Sequence, residues 1–229
     1  QREPIYDPTD SESLEVFMEY WRVERERCKN GIRIADGQIK VPGRLYFHTV
    51  YGHIARYIDI KAGEKTKQVK KITQPVLRDI DWDIANDLEQ CELEGRFYAL
   101  VGARGFGKSV IAASRAGYQY TFFDNSEAVI SAGAESYIKL TTDKIEDGLT
   151  NIHPFFKKQR ILNDWKKEVK AGWKDKKSNQ PDPKSSNSKI IIRNYQSGNN
   201  TMAANGTRPG FHLIDEFLRT GCSGDFDFS

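Results

Sequence analysis

The chain contains little cysteine, with only Cys28, Cys91 and Cys222 among 229 residues. These cysteines are odd in number and far apart, and no spacing between them matches a metal-binding pair such as Cys-x-x-Cys. The sequence therefore argues against a disulfide-stapled domain and against a structural zinc site. A reducing, intracellular setting is the simpler interpretation.

Long apolar runs are also missing. No stretch approaches the roughly 18 apolar residues of a membrane span, and no signal peptide is visible at the N-terminus. The length of 229 residues is enough for one sizeable α/β domain with an appendage. With 38% hydrophobic and 29% charged residues, the composition predicts a soluble globular protein, and we expect no membrane partner. Because the chain begins with Gln1 rather than Met, we expect a fragment of a longer protein.

A formal net charge of only +3 excludes a strongly basic or acidic chain, but the charge is unevenly placed. From Lys157 to Lys189 there are eleven basic residues against four acidic ones, with Trp165 and Trp173 among them, and a second basic stretch runs from Lys61 to Lys71. Basic residues interleaved with aromatic ones favour contact with nucleic acid. A solvated surface loop is the alternative, since Ser178 to Ser188 is rich in Ser, Asn, Pro and Lys.

What the chain does have is a full match to the phosphate-binding pattern G-x-x-x-x-G-K-[ST], in the sequence GARGFGKS. Glycine at Gly102 and Gly107 lets the backbone turn tightly, Lys108 can reach the β- and γ-phosphates, and Ser109 offers its hydroxyl to Mg²⁺. The pattern predicts an ATP site with Mg²⁺ as cofactor. Its predicted contacts are Gly102, Ala103, Arg104, Gly105, Phe106, Gly107, Lys108 and Ser109.

The flanking sequence bears on this motif, because a phosphate loop needs a strand before it and a helix after it. The apolar run Phe97 to Val101 predicts the strand, and the small residues from Val110 to Ala116 predict the helix. The N-terminus of that helix would direct partial positive charge toward phosphates. The alternative is a glycine-rich turn that contains Lys-Ser by chance.

A second motif, FHLIDEF, carries paired acids directly after an apolar stretch. Phe211, Leu213 and Ile214 predict a buried strand that ends at Asp215, at the edge where open α/β sheets bind ligands. Asp215 would hold the Mg²⁺ shell, and Glu216 would polarise a water for attack on the γ-phosphate. A base aimed at water favours hydrolysis over phosphoryl transfer. Two solvated acids in a turn are the alternative.

Hydrophobic periodicity predicts alternating helices and strands. We expect a P-loop NTPase (RecA/ASCE-like) α/β fold, in which a mostly parallel sheet carries helices on both faces. We place an N-terminal helix and leader segment in residues 1–75 and the ATPase core in 76–229. The predicted elements are a helix at 11–29, short strands within 32–50, a hairpin or loop at 60–71, helices at 79–90 and 135–149, and strands at 128–132, 189–194 and 211–215.

With these motifs in place, the chain resembles the ATPase domain of the large terminase subunit of tailed bacteriophages, the motor that packages DNA into empty capsids. The resemblance covers most of residues 12–218 and combines four features with the N-terminal leader. These are GARGFGKS with its arginine four residues before the lysine, the approach PVLRDIDWDIANDLEQCELEGRFYALV, the stretch TFFDNSEAVISAGAESYIKLTTDKI, and NGTRPG followed by HLIDEF; the leader is GQIKVPGRLYFHTVYGHI.

The resemblance implies roles for matching positions. Arg104 would act on the γ-phosphate in the manner of an arginine finger, or would simply pack beside the loop. Arg208 is a weaker candidate for phosphate chemistry or a neighbouring subunit. Tyr46 and Phe47 would flank the adenine, although core packing fits them better. The implied catalytic set is Glu216, Lys108 and Arg104, with Ser109 and Asp215 at the metal.

The resemblance also implies double-stranded DNA, a portal protein and a small terminase subunit as partners, a homo-oligomeric ring, and the host cell cytoplasm as location. Two departures from the family are visible. No coupling motif follows the acidic pair, and the C-terminal nuclease domain is absent, so we expect no nuclease activity.

Two other functions fit the motifs. A helicase-like DNA-dependent ATPase would share the loop and the acidic pair, but it would need a second RecA-like half, for which the chain has no room. A nucleotide-binding assembly module would bind ATP as a structural switch with negligible turnover. Salt-sensitive DNA binding would favour the motor over the assembly module.

Overall fold

The computed structural model describes residues 3–62, 65–103, 105–132, 134–175, 178, 180–182, 184–194 and 210–215. The chain divides into two compact units. The first contains Gln1–Tyr51, Val76–Ala99 and His153–Phe156, and the second contains Gly52–Pro75, Leu100–Ile152 and Lys157–Ser229. The chain therefore crosses between the units several times, whereas the sequence predicted a single division after residue 75. Where the functional domains divide stays a prediction.

The first unit is mainly helical. It contains α1 (Ser11–Asn30), the antiparallel pair β1 (Ile32–Ile34) and β2 (Ile39–Val41), α2 (Gly43–Val50), α3 (Asp79–Leu93) and a 3₁₀ turn at Pro154–Phe156. The Asp10 carboxylate caps α1 by accepting from the backbone N–H groups of Glu12 and Ser13. The predicted helix at 11–29 is confirmed.

Trp21 forms the aromatic centre of this unit and is 1% exposed. Its ring stacks on His153 with centroids 3.9 Å apart and on Phe155 at 5.3 Å. One turn along α1, the buried carboxylate of Glu24 accepts hydrogen bonds from the hydroxyls of Tyr46 (2.7 Å) and Tyr51 (2.6 Å). These donors compensate for burying a charge.

Helix α2 differs from the short strands that were expected between residues 32 and 50. The Pro42–Gly43 turn starts a helix, with Pro42 as the residue before its first turn. Phe47 is buried, and the Tyr46 hydroxyl is bound to Glu24. Both aromatic side chains therefore take part in the core packing that the sequence favoured over contact with an adenine.

The second unit is built on a sheet of five strands, in the order β6-β7-β8-β5-β9. A separate antiparallel hairpin of β3 (Ile54–Ala62) and β4 (Lys65–Thr73) precedes it and carries the second basic stretch. The sheet strands are β5 (Glu127–Ala132), β6 (Arg160–Asp164), β7 (Glu168–Ala171), β8 (Lys189–Asn194) and β9 (Phe211–Asp215), and the helices are α4 (Lys108–Phe122) and α5 (Glu135–Asn151).

The sheet is mixed, which corrects the expected mostly parallel sheet. Strands β8, β5 and β9 run parallel, whereas β7 is antiparallel to both β6 and β8. The added antiparallel strands form a hairpin inside the basic segment 157–189. Apart from the alternation in β7, where Val169 and Ala171 are buried between polar residues, no sequence pattern predicted this hairpin.

The residues of β5 are buried on both faces of the sheet, and the cluster that includes the helices lies on one of these faces. Ala128, Ile130 and Ala132 join a single buried cluster, and that cluster also takes residues from both α4 and α5. Since alternate strand residues share a face, the two described helices of this unit pack on the same side. For α4 and α5, the expected arrangement with helices on both faces is therefore not observed.

No helix within the described residues combines the length and the apolar character needed to cross a membrane.

Candidate functional site

The phosphate-loop sequence forms a tight turn that leads directly into α4. Gly105 and Gly107 have φ angles of +85° and +93°, in the left-handed region that favours glycine. Gly107 is the residue before the first turn of α4, and its carbonyl accepts from the N–H groups of Val110 (2.9 Å) and Ile111 (3.1 Å). The turn thus depends on Gly105 and Gly107. A Cβ at Gly102 would meet only ordinary contacts, the nearest at 3.6 Å.

The Lys108 side chain folds back onto the backbone of this turn. Its ammonium group donates to the backbone carbonyl oxygens of Gly102 (2.5 Å) and Ala103 (3.0 Å). The positive charge is therefore held within the loop, next to the first turn of α4, where backbone N–H groups lack partners inside the helix. Half-buried Ser109 lies in that first turn. A cation and unpaired N–H groups together suit an anion such as phosphate.

The segment before the loop differs from the prediction. Residues 96–103 form no strand, and Phe97 and Val101 are 93% and 90% exposed. The expected strand at 97–101 is therefore wrong in this structure. A strand is stable only beside another strand. The described sheet ends at β6 on one side and at β9 on the other, so the segment 97–101 pairs with neither edge. Arg104 lies outside the described residues.

The direction of α4 decides which edge of the sheet the loop approaches. Helix α4 packs in the same cluster as β5, and only residues 123–126 separate the end of α4 from the start of β5. Helix α4 therefore runs antiparallel to β5 and ends at the amino edge of the parallel strands. Its first turn, with Lys108 and Ser109, lies toward their carboxyl edge.

Contacts with β9 support the same direction. Gln119 is near the end of α4 and lies beside Gly210. A Cβ placed on Gly210 would be 2.8 Å from the Gln119 amide nitrogen. One turn earlier, the Arg115 guanidinium lies 5.5 Å from the centre of the Phe211 ring. From there to Lys108 the helix rises about 10 Å, and β9 advances about 13 Å to Asp215. The phosphate loop and Asp215 therefore approach the same edge.

Asp215 is the last residue of β9 and pairs with Ala132, the last residue of β5. The Thr141 hydroxyl on α5 donates to Asp215 Oδ2 at 2.5 Å, and Thr141 is fully buried. This hydrogen bond fixes the direction of the carboxylate from the side of α5. The predicted strand at 211–215 is confirmed, although its residues are half-buried rather than buried. Glu216 and Arg208 lie outside the described residues.

Two polar partners on these elements were missed at the sequence level. Thr141 sits among apolar positions of α5, and a threonine on the buried face of an amphipathic helix was the available signal. His212 on β9 lies 2.8 Å from the Ser131 hydroxyl on β5, on the face opposite the helices. Burial lowers the pKa of His212, so its ring favours the neutral form. This pair joins the two strands.

Within the described ranges, no group of three or more His, Cys, Asp or Glu residues is placed to hold a metal ion. A Mg²⁺ ion at this edge would instead take oxygens from Ser109, Asp215 and the phosphates themselves, which matches the preference of Mg²⁺ for few protein ligands.

No protein-family model matches this chain, and no curated protein matches its sequence.

Proposed function

We propose that the chain is the ATP-hydrolysing domain of a DNA-packaging motor, similar to the large terminase subunit of tailed bacteriophages. The observation that carries the proposal is the placement of the phosphate loop and Asp215 toward one edge of the sheet, with the Lys108 ammonium held inside the loop by two carbonyls. A loop that binds phosphate and a carboxylate that binds Mg²⁺ must meet at such an edge for ATP to be hydrolysed.

The residues of the chain divide the chemistry between them. Lys108 and the first N–H groups of α4 bind the phosphates and hold their negative charge. Ser109 and Asp215 hold Mg²⁺, which when bound would neutralise charge on the β- and γ-phosphates. Glu216 accepts a proton from the attacking water, and Arg104 binds the γ-phosphate oxygens.

The basic surface of the second unit provides the contact with DNA in this proposal. The hairpin β3–β4 carries Lys61, Lys67 and Lys71, and β6–β7 carries Lys166 and Lys170. Charge of this kind binds phosphates without regard to sequence. By the same resemblance, a ring of copies would act with a portal protein and a small terminase subunit in the host cytoplasm.

Steady-state ATP hydrolysis tests the proposal, measured over a range of protein concentrations with and without double-stranded DNA. We expect turnover that rises with concentration or DNA. Lys108→Ala should abolish it, whereas the matched Lys184→Ala, which removes an exposed lysine of the same unit, should leave it unchanged. Glu216→Gln should bind ATP without turnover. Equal turnover in wild type and Lys108→Ala would contradict the proposal.

A nucleotide-binding assembly module is the second candidate, and the exposed segment before the loop favours it. With Phe97 and Val101 exposed, the described loop is anchored on the side of α4 only. Such a loop binds phosphate without holding it rigidly enough for attack. ATP binding that depends on Lys108, with no turnover under any condition, would support this module instead.

A further inference from the structure

The β6–β7 hairpin and the residues after it carry a second concave site, away from the phosphate loop in sequence. Its volume is about 580 Å³, and it is lined by Gln159, Arg160, Ile161, Trp173 and Lys174. We call it the Trp173 pocket. The volume falls within the roughly 300–1,000 Å³ of small-ligand sites. An indole ring, two cations and an amide in one concavity suit a ligand with a flat ring and a negative charge.

Trp173 is presented by a rigid turn. The preceding Gly172 has φ of +138°, and a Cβ there would lie 2.7 Å from Ser185 Oγ, so this position requires glycine. The Gly172 N–H donates to the carbonyl of Gln159 at 2.8 Å, and the Trp173 carbonyl accepts from the N–H of Asp182 at 2.9 Å. The backbone on both sides of the indole is therefore fixed, while 41% of the residue stays exposed.

The two cations of the pocket keep their charge available. Arg160 donates to the neutral amide oxygen of Asn163 at 3.0 Å, and its guanidinium lies 5.5 Å from the centre of the Trp165 ring. Within the described part of the chain, neither Arg160 nor Lys174 forms an ion pair with a carboxylate. Both lining side chains are cationic, so the pocket favours an anionic group.

We propose that the Trp173 pocket binds one nucleotide of a single-stranded nucleic acid. The base stacks on the Trp173 indole, and the phosphates on either side contact Arg160 and Lys174. Stacking on an aromatic side chain combined with backbone contacts to basic residues is how single strands are bound without sequence preference. A duplex cannot occupy the pocket in this way, because its bases are stacked on each other.

This site goes beyond the proposed ATPase, because it does not need ATP, Mg²⁺ or Lys108. In a packaging motor it would hold an unpaired end or overhang. The same chemistry is found in DNA and RNA, which differ at this pocket only by the 2′-hydroxyl.

Fluorescence anisotropy with labelled deoxyuridine and uridine oligonucleotides and a duplex of equal length tests the proposal, without ATP or Mg²⁺. We expect binding of the single strands to depend on Trp173 and binding of the duplex, which contacts the basic surface, not to depend on it. The single strand that binds more tightly identifies the natural strand. Trp173→Ala should weaken binding of single strands about tenfold, within the range of one stacked base, while Trp173→Phe retains most of it. Lys174→Ala should reduce the salt dependence, by about 0.7 in the logarithmic slope.

The matched control is Lys184→Ala, which removes one positive charge from the same basic segment outside the pocket and should weaken binding of single strands less than Trp173→Ala does. Urea unfolding shows whether each variant folds. If Trp173→Ala does not fold, Lys174→Glu is tested in its place. A folded Trp173→Ala that binds single strands like the wild type, or that loses duplex and single-strand binding to the same extent, would overturn the proposal. Lys108→Ala should bind them normally, so failure of the pocket and failure of the ATPase proposal give different results.

Discussion

The hydrogen bond between Thr141 and Asp215 permits a sharp test of the candidate site. Replacing Thr141 by Val keeps the shape of the side chain and removes the hydroxyl that donates to Asp215 Oδ2 at 2.5 Å. A hydrogen bond to a charged group contributes about 1.5–3 kcal/mol. Since Asp215 is half-buried and water can replace part of the bond, we expect a loss near the lower limit, about 1.5 kcal/mol.

The loss should appear in metal binding as well as in stability. If the hydrogen bond orients the carboxylate for Mg²⁺, a change of about 1.5 kcal/mol corresponds to roughly a tenfold higher Mg²⁺ concentration for half-maximal ATP hydrolysis. The assay is a Mg²⁺ titration at fixed ATP, combined with urea unfolding of each variant. If Thr141→Val stays folded in the urea titration but needs more Mg²⁺ at saturating ATP, the cause is the orientation of Asp215 and not a general loss of fold.

The next residue provides the matched control. Thr142 is also buried on α5, but its hydroxyl donates to the backbone carbonyl of Lys139 in the same helix at 3.1 Å. Thr142→Val should therefore destabilise the fold slightly and leave the Mg²⁺ requirement unchanged. If Thr141→Val and Thr142→Val show the same Mg²⁺ dependence, the inference that Thr141 orients a metal-binding carboxylate is refuted.

Two further predictions concern stability. Ile130→Ala should lower the free energy of unfolding by about 2–5 kcal/mol, because Ile130 is fully buried in the core; Leu140→Ala, at a position 58% exposed, should change it by less than about 1 kcal/mol in the same urea titration. Burial lowers the pKa of His48 below its usual 6.5. Since the unfolded chain then binds the proton more readily, stability should fall as pH decreases below about 6.5. His48→Gln should reduce that loss between pH 8 and pH 5.5, and an unchanged pH dependence would contradict the assignment.

Local sequence patterns predicted the elements whose stability is mostly local. The cap at Asp10, the amphipathic periodicity of α1, and the small residues after Lys108 give helices where they were expected. The β-branched run in KIIIRN gives β8 with the predicted bounds. In each case neighbouring residues supply either the cap or the continuous buried face.

The predictions failed where a strand depends on pairing with residues distant in the sequence. The run Phe97 to Val101 has the composition of a strand but lies beside no strand in the described structure, and Phe97, Ala99 and Val101 are exposed. Conversely, β6 and β7 lie in a basic segment for which no strand was predicted; β7 pairs with β8, and β6 pairs with β7. Strand formation is decided by the neighbouring strand, which a single sequence does not reveal.

In the candidate site, too, some features follow from the local sequence and others from tertiary packing. The sequence alone predicted which residues would bind phosphate and magnesium, because Gly107, Lys108, Ser109 and Asp215 have suitable atoms at the spacing of the motifs. Only the tertiary structure decided that α4 and β9 bring the loop and Asp215 toward one edge, and that Thr141 binds the carboxylate. Chemical groups are local properties of the chain, whereas their meeting depends on packing between elements far apart in sequence.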